Sequence, residues 1–448
     1  MSSNEVAKTE ENMNNLYDEY ANVMAEDEDI PIEEKPYLDG TIAVPPELSE
    51  GMIPVKWDSE QEKWLKTDIY DKEWYDYGNK EWANVVLGDS TFNEEGILDE
   101  SKPYSMLVWI PRYAYQITSK YHQSGNTGGN INIAFIDEDN KGRDGTVYST
   151  NYPEYSTGNG MNDYVVHPAF DYGGTAISGF WVGKYESSNT NCTQEATTGE
   201  VAYTGNEAMT IRAGVTSWRN IIVDEMFTAC IELNKEGNPY GLNTDDNIVD
   251  PHMMKNSEWG AVAYLSQNVT FGKGEEIWIN PNSNHITGEA GSSVSALSTA
   301  TTYSYNTENG KEASTTGNVT GVYDMSGGSW EFVSAYVNNV NSNLNNYASR
   351  LLSADKKYKD VYEVSNGNTL ITPNAGYYGD SVYEISDTGL GENKSWYNDY
   401  SAIPGNDYAI FVRGGSNNSA SSGGIFGFRY NNGINSTIDS FRVVLTIL

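Results

Sequence analysis

From Ser105 to Leu448 two runs of the sequence repeat their apolar residues at helical spacing, and the other apolar runs are short. The first is VTSWRNIIVDEMFTACIELN, where Ile222, Met226, Cys230 and Leu233 mark one face and Ser217 is placed to cap the start. The second, NSEWGAVAYLSQ, has Trp259, Ala263 and Leu265 among its apolar positions. Around them MLVWIPRYAYQI, INIAFID, GFWVGKYESS, AIFVRGGSNN and SFRVVLTIL read as strands. Long stretches of Gly, Ser, Thr and Asn separate these runs. The pattern predicts an α+β domain with two helices, short strands and long irregular loops. Loops of this length inside a compact domain usually carry function or are disordered, and their Asn and Tyr content favours function.

Upstream the character changes twice. Residues 1–40 are strongly acidic, and Met13, Leu16, Tyr20 and Val23 recur at helical spacing. They predict a short amphipathic helix followed by an acidic tether from Ala25 to Pro36, a place where a pilus or phage-particle partner would attach. Residues 41–100 hold Trp57, Trp64, Trp74 and Trp82 in short runs divided by Asp, Gly and Asn. They predict β-hairpins forming a small Trp-rich module with the tryptophans in its core. The remaining residues, 101–448, form the main domain.

A chain of 448 residues with 38% hydrophobic residues relies on aromatic area for its core, and 33 Tyr and 11 Trp supply it. The net charge is −36, from 27 Lys+Arg against 63 Asp+Glu. Phosphate backbones and anionic lipid surfaces both require a basic footprint, so nucleic acid and membrane-surface binding are disfavoured. No apolar run reaches the ~18 residues of a membrane span. The first residues, MSSNEVAKTEEN, lack the charged and apolar regions of an export signal. An extracellular or cell-surface location therefore implies a removed export segment or carriage by another particle. Two cysteines, Cys192 and Cys230, allow one disulfide at most, and Cys230 on a helix face reads as a buried thiol.

The ordered motifs GFWVGKYE (179–186), VTSWRNI (215–221), SEWGAVAYLS (257–266), GNVTGVYDMSGGSWEFV (317–333), FVRGGS (411–416), FGFRY (426–430) and SFRVVL (440–445) resemble the formylglycine-generating enzyme (sulfatase-modifying factor) family. That resemblance implies a C-type-lectin-like fold over residues 101–448. Gly327, Gly328, Gly414 and Gly415 fit it as positions where the backbone turns as only glycine does easily, and Trp330 as a core anchor. Glu331 and Arg413 are candidates for a paired, partly buried charge. The family's oxidation chemistry depends on two cysteines between RGGS and the last strand. Here that segment, NNSASSGGIFGFRYNNGINSTID, has none, so neither a thiolate nucleophile nor a soft copper ligand is present. Iron-dependent relatives use clustered histidines, whereas His122, His167, His252 and His285 are scattered. No catalytic residue is expected; an oxidoreductase of altered chemistry and a pilus-associated subunit are the alternatives.

Asn417 stands where the family commonly has Trp after RGGS, and Asn, Ser, Gly and aromatic residues follow. This layout resembles the variable proteins of diversity-generating retroelements, which rewrite exposed codons on the same fold. The resemblance implies a ligand-contacting segment within 413–445, recognising a protein or a glycan. Asn417, Asn418, Ser421, Ser422, Phe426, Phe428, Tyr430, Asn431, Asn435 and Thr437 are its candidate contacts, supplying adaptable hydrogen bonds and aromatic area. Arg429 reads equally as scaffold. One acidic loop, IDEDNKGRDG (136–145), suggests calcium, but Lys141 stands where an oxygen ligand belongs and no Glu follows at the right distance. A solvated turn is the expectation there, with no cofactor.

Overall fold

The computed structural model describes residues 36–88, 91–364, 377–387, 394–405 and 407–448. The helix expected around Met13 to Val23 and nearly all of the acidic tether lie outside the described residues. The largest sheet has seven strands, all pairs antiparallel. Its strands are β1 (Met52–Asp58), β2 (Lys63–Lys66), β3 (Asn84–Leu87) and β4 (Met106–Pro111). β5 (Tyr113–Ile117), β6 (Ile131–Phe135) and β7 (Val165–Val166) make a separate small sheet. Three more strands complete the large one: β8 (Gly179–Gly183), β9 (Val249–Met253) and β15 (Val443–Ile447). The spatial order is β9-β15-β8-β4-β3-β1-β2.

Every residue of β4 and β8 is buried, which explains their unbroken apolar runs. Trp109 and Trp181 face each other across this pair with ring centroids 5.2 Å apart. A Cβ on Gly179 would lie 2.4 Å from the Trp109 ring, so only glycine fits beside that indole.

Residues 41–100 do form hairpins, but they are not a separate module. β3 pairs with β4, Asn84 opposite Val108, and joins β1 and β2 to the common sheet. Trp64, Trp74 and Trp82 are buried, and Trp57 is half-buried. The Trp64 indole donates to the Tyr305 hydroxyl (3.1 Å) and Trp82 to the Phe271 carbonyl (2.7 Å). Burying an indole of about 200 Å² contributes on the order of 5 kcal/mol at ~25 cal/mol per Å². A sixty-residue stretch realises that only against an opposing surface, and residues 271 and 305 supply it. One hydrophobic cluster accordingly runs from Ala43 to Leu445. Lys184, fully buried, ties the same regions together. Its ammonium donates to Asn84 Oδ1 (2.9 Å) and to the carbonyls of Val319 (2.6 Å) and Gly321 (2.8 Å).

The second sheet centres on β10 (Trp330–Asn338), antiparallel to β12 (Ile410–Arg413) and parallel to β11 (Asp360–Glu363) and β14 (Asp439–Phe441). β13 (Phe428–Asn431) pairs with β12.

Four α-helices occur among the described residues, two more than expected. α1 (Val223–Ile231) starts later than its periodicity suggests. Asn220 has φ +64°, Trp218 enters the core from irregular backbone, and the Ile222 N–H is capped by Glu225 Oε2 (3.0 Å) rather than Ser217 acting as cap. α2 (Asn256–Gln267) matches its predicted run; Glu258 accepts from the Lys255 N–H at 2.8 Å. α3 (Ser342–Tyr347) and α4 (Ser349–Ser353) are short, and Leu344, Ala348 and Leu351 bury their inner side. Cys192 and Cys230 are both free and buried. Burial raises the Cys192 thiol to about 11 and pushes Cys230 up as well.

Candidate binding face

The segment 413–441 hangs between β12 and β14 on a frame of close backbone contacts. Gly414 and Gly415 have φ +83° and +87°, and Gly327 and Gly328 have +80° and +66°. Gly414 donates to Gly427 O (3.1 Å) and accepts from Gly424 N (3.0 Å) and Gly327 N (3.1 Å). Asn417 N donates to Gly328 O at 2.9 Å. A Cβ on Gly415 would lie 2.7 Å from Gly423 Cα, and one on Gly424 would lie 2.1 Å from Asp399 Oδ2. The glycines of SGG, RGG and SGGIFG thus let three backbones dock on one another.

Two arginines lock this frame. Sequence pairs Glu331 with Arg413, and the two are indeed cross-strand neighbours, yet the carboxylate binds Arg442 instead. Arg442 Nε meets Glu331 Oε2 at 2.9 Å and Nη2 meets Oε1 at 2.5 Å, a forked geometry that Arg442 reaches from just beyond β14. Arg413 turns the other way. Its guanidinium lies over the Trp259 and Phe428 rings (5.6 and 5.5 Å) and donates to Asn256 Oδ1 (3.2 Å), Ser381 O (3.2 Å) and Ser381 Oγ.

On this frame the ten candidate contacts separate by exposure. Asn418, Ser421, Tyr430, Asn435 and Thr437 are exposed; Ser422 and Asn431 are half-buried. Asn417, Phe426 and Phe428 are buried and are corrected to scaffold. The Asn417 amide donates to Asn282 O (3.0 Å). Phe426 meets Trp396 edge-on at 5.1 Å, and Phe428 lies beneath Arg413. Inward-facing rings of this kind hold a loop in place and leave no surface for a ligand.

Asn418, Ser421 and Ser422 share one loop, closed by Ser422 O accepting from Tyr400 N (3.0 Å). Tyr430 packs on Tyr408 (5.1 Å), and Asn435 Nδ2 donates to Asn220 Oδ1 (3.0 Å). Between these groups Arg429 lies 4.4 Å over the Trp330 ring and 3.7 Å from Asp439, whose other oxygen accepts from Asn431 Nδ2 (2.8 Å). Trp330, nearly buried, also meets Tyr400 at 6.4 Å. Exposed Ile434 and Ile438 flank Asn435 and Thr437. The sequence alone does not point to Tyr400, Tyr408 and Asn220. They come from distant segments, and the only local signal was the tyrosine content of NDYSAIPGNDYAIF.

The histidines occupy four environments. His122 stacks on Tyr383 at 3.9 Å. His167 is packed among Tyr113, Tyr115, Phe170 and Tyr264, and burial lowers it to about 3. His252 meets Glu258 Oε1 at 2.9 Å, and His285 Nδ1 lies 3.0 Å from Gly328 O. Burial also lowers His285, to about 4. Among the described residues no group of three or more His, Cys, Asp or Glu is arranged to hold a metal ion, and no helix is long and apolar enough to cross a membrane. In the 136–145 loop Asp137 Oδ1 accepts from Lys141 N (2.8 Å) and Asp144 Oδ1 from Thr146 N (2.9 Å), the bonding of a turn.

Behind the face sit carboxylates that burial pushes upward. Asp380 is raised to about 7, Glu276 to about 7, and Asp399 lies well above the usual range. Asp380 accepts from Tyr362 OH (2.7 Å) and Val382 N (3.0 Å). A carboxyl raised in the folded state binds its proton more tightly there than when unfolded. Its stabilisation is complete below the unfolded value, about 4, and is lost as pH rises through about 7. As pH falls towards about 6.5 and below it, His167 and His285, held neutral by burial, act oppositely, because their unfolded forms take up protons. Between pH 8 and 6.5 the carboxyls outweigh them. The melting temperature is expected to rise by roughly 2 °C over that interval, and Asp380→Asn to flatten the rise. Calorimetry on both proteins checks it; an equal slope would show that Asp380 does not titrate there.

No protein-family model matches the chain, and no curated protein matches it. The fold and the face together define an α+β protein in which half of a glycine-framed segment is core and half is exposed.

Proposed function

We propose that this chain is a non-enzymatic ligand-binding protein of C-type-lectin-like fold, of the formylglycine-generating-enzyme type. It displays residues of 418–437 at a cell or phage surface to bind a protein or glycan on another cell or particle. The reading includes diversification of these positions by a retroelement. One observation carries it: Asn418, Ser421, Tyr430, Asn435 and Thr437 project from a segment whose flanks, RGGS and FRVVL, are buried. Exposed side chains on such a frame change without disturbing the core, and their types match those of adaptable binding loops. Tyr408, Tyr400 and Arg429 extend the surface, and Tyr430 with Tyr408 is its aromatic centre.

The test is a variant with alanine at all five exposed positions, probed on a glycan array and a panel of displayed bacterial surface proteins. Binding is expected to fall at least ~10-fold, with the melting temperature within about 2 °C of the parent. Unchanged binding, or unfolding of the variant, would overturn the assignment. Amplicon sequencing across the source population examines diversification separately. Variation is expected at the codons of the five exposed residues, with those of Phe426, Phe428 and Arg442 fixed.

A further inference from the structure

Away from the binding face, a cleft of about 520 Å³ opens between the 192–194, 212–215, 287–289 and 304–306 segments and Glu100. Arg212 lines it at 8% exposure. Its Nη2 donates to the Cys192 carbonyl at 3.2 Å, while its buried Nε has no hydrogen-bond partner. Among the described residues no carboxylate lies within ion-pairing distance of this guanidinium, and the Cys192 carbonyl is the acceptor it reaches. Leaving a buried cation unpaired is costly, and an incoming carboxylate relieves that cost.

Two carboxylates share the lining with Arg212. Both Glu100 oxygens lie 3.0 Å from the Tyr305 hydroxyl, and Glu289 Oε1 accepts from Ser304 Oγ at 3.2 Å. Neither glutamate is ion-paired with Arg212. One guanidinium against two carboxylates, with Lys63 acting on Glu100 from nearby, gives the lining no net positive charge, so the second charge of phosphate or sulfate gains nothing there. A molecule bringing its own cation satisfies both signs. Ser101, Thr193 and Asn306 supply neutral polar groups around it. We infer that the cleft binds a small zwitterion of the free α-amino acid class, its carboxylate on Arg212 and its ammonium toward Glu100 and Glu289.

The cleft wall is linked to the buried frame beneath the face. Asn284 Nδ2 donates to Gln194 O (3.3 Å) at the cleft wall, and Asn282 O, two residues earlier, holds the Asn417 amide. The site does not depend on the face having a ligand.

The experiment is titration calorimetry of the full chain with each of the common amino acids, with acetate, methylammonium and inorganic phosphate as comparisons. At least one amino acid is expected to bind with Kd below about 1 mM, each comparison ion at least ~10-fold more weakly. Arg212→Gln is expected to weaken binding by roughly 30-fold and Glu289→Gln by roughly 10-fold. Glu289 is half-buried and hydrogen-bonded to a neutral hydroxyl, so its variant keeps the fold should Arg212→Gln fail to. Binding weaker than about 10 mM for every amino acid, phosphate binding as tightly, or indifference to Glu289→Gln would each overturn the assignment.

Discussion

Arg442→Gln is expected to destabilise the protein by about 3–5 kcal/mol, because it leaves buried carboxylates without their cation. Arg442 is completely buried and spends its donors on Glu331 through both arms of the fork, on Gly183 O (2.7 Å) and on Tyr323 O (2.9 Å). Two further buried carboxyls, Asp324 and Glu186, act on the same cluster. Even with the arginine present, burial raises Glu331 to about 7, so without it the carboxyl must fold protonated. The loss is therefore expected to shrink as pH falls from 8 to 5, and Glu331→Gln added to Arg442→Gln is expected to recover part of it. Urea denaturation at the two pH values measures both effects. A loss below about 1 kcal/mol would mean that the pair contributes little more than a surface ion pair does.

Phe426→Ala is expected to cost about 3–5 kcal/mol, as deletion of a buried aromatic ring does. Asn418→Ala or Ser421→Ala, a few residues away, is expected to stay within about 0.5 kcal/mol. The ring packs against Trp396 and lies 6.1 Å from Tyr397, while its own N–H donates to Asp399 Oδ2 (3.1 Å). Removing it opens a cavity under the loop that presents Asn418 and Ser421, so binding weakens through lost order of the loop. Denaturant titration of the three variants separates the cases. Equal costs at 418 and 426 would contradict the division of this segment into core and surface.

Local features of the fold were legible and distant ones were not. NSEWGAVAYLSQ reads correctly as a helix because its apolar residues keep helical spacing. VTSWRNI misleads because Trp218 mimics the period while its indole reaches Val201 O (2.7 Å) from irregular backbone. NSNLNNYASRLLS escapes because Asn and Ser favour turns, and its helices rest on three buried apolar residues, Leu344, Ala348 and Leu351. Hairpins around Trp57 and Trp64 are visible in order, but the pairing of β3 with β4 that removes the module boundary is not. The same limit applies at the site. The exposed half of 417–437 follows from its residue types, whereas Phe426 and Phe428 look identical in sequence whether they point out or in. Tyr408 and Asn220 reach the face only through the fold.

The position of β15 has a consequence for how variants of this chain are sorted. That strand lies between β9 and β8, so neither of its neighbours is paired on that side until residues beyond the candidate binding segment have been made. Assembly of the large sheet therefore waits until β15 has been made, as pairing over such sequence separation does. A frameshift or premature stop anywhere between Gly414 and Asp439 removes the joining strand and leaves two apolar strand edges open. Such a product is a substrate for proteolysis rather than a defective binder, and only chains read through in frame reach the folded state.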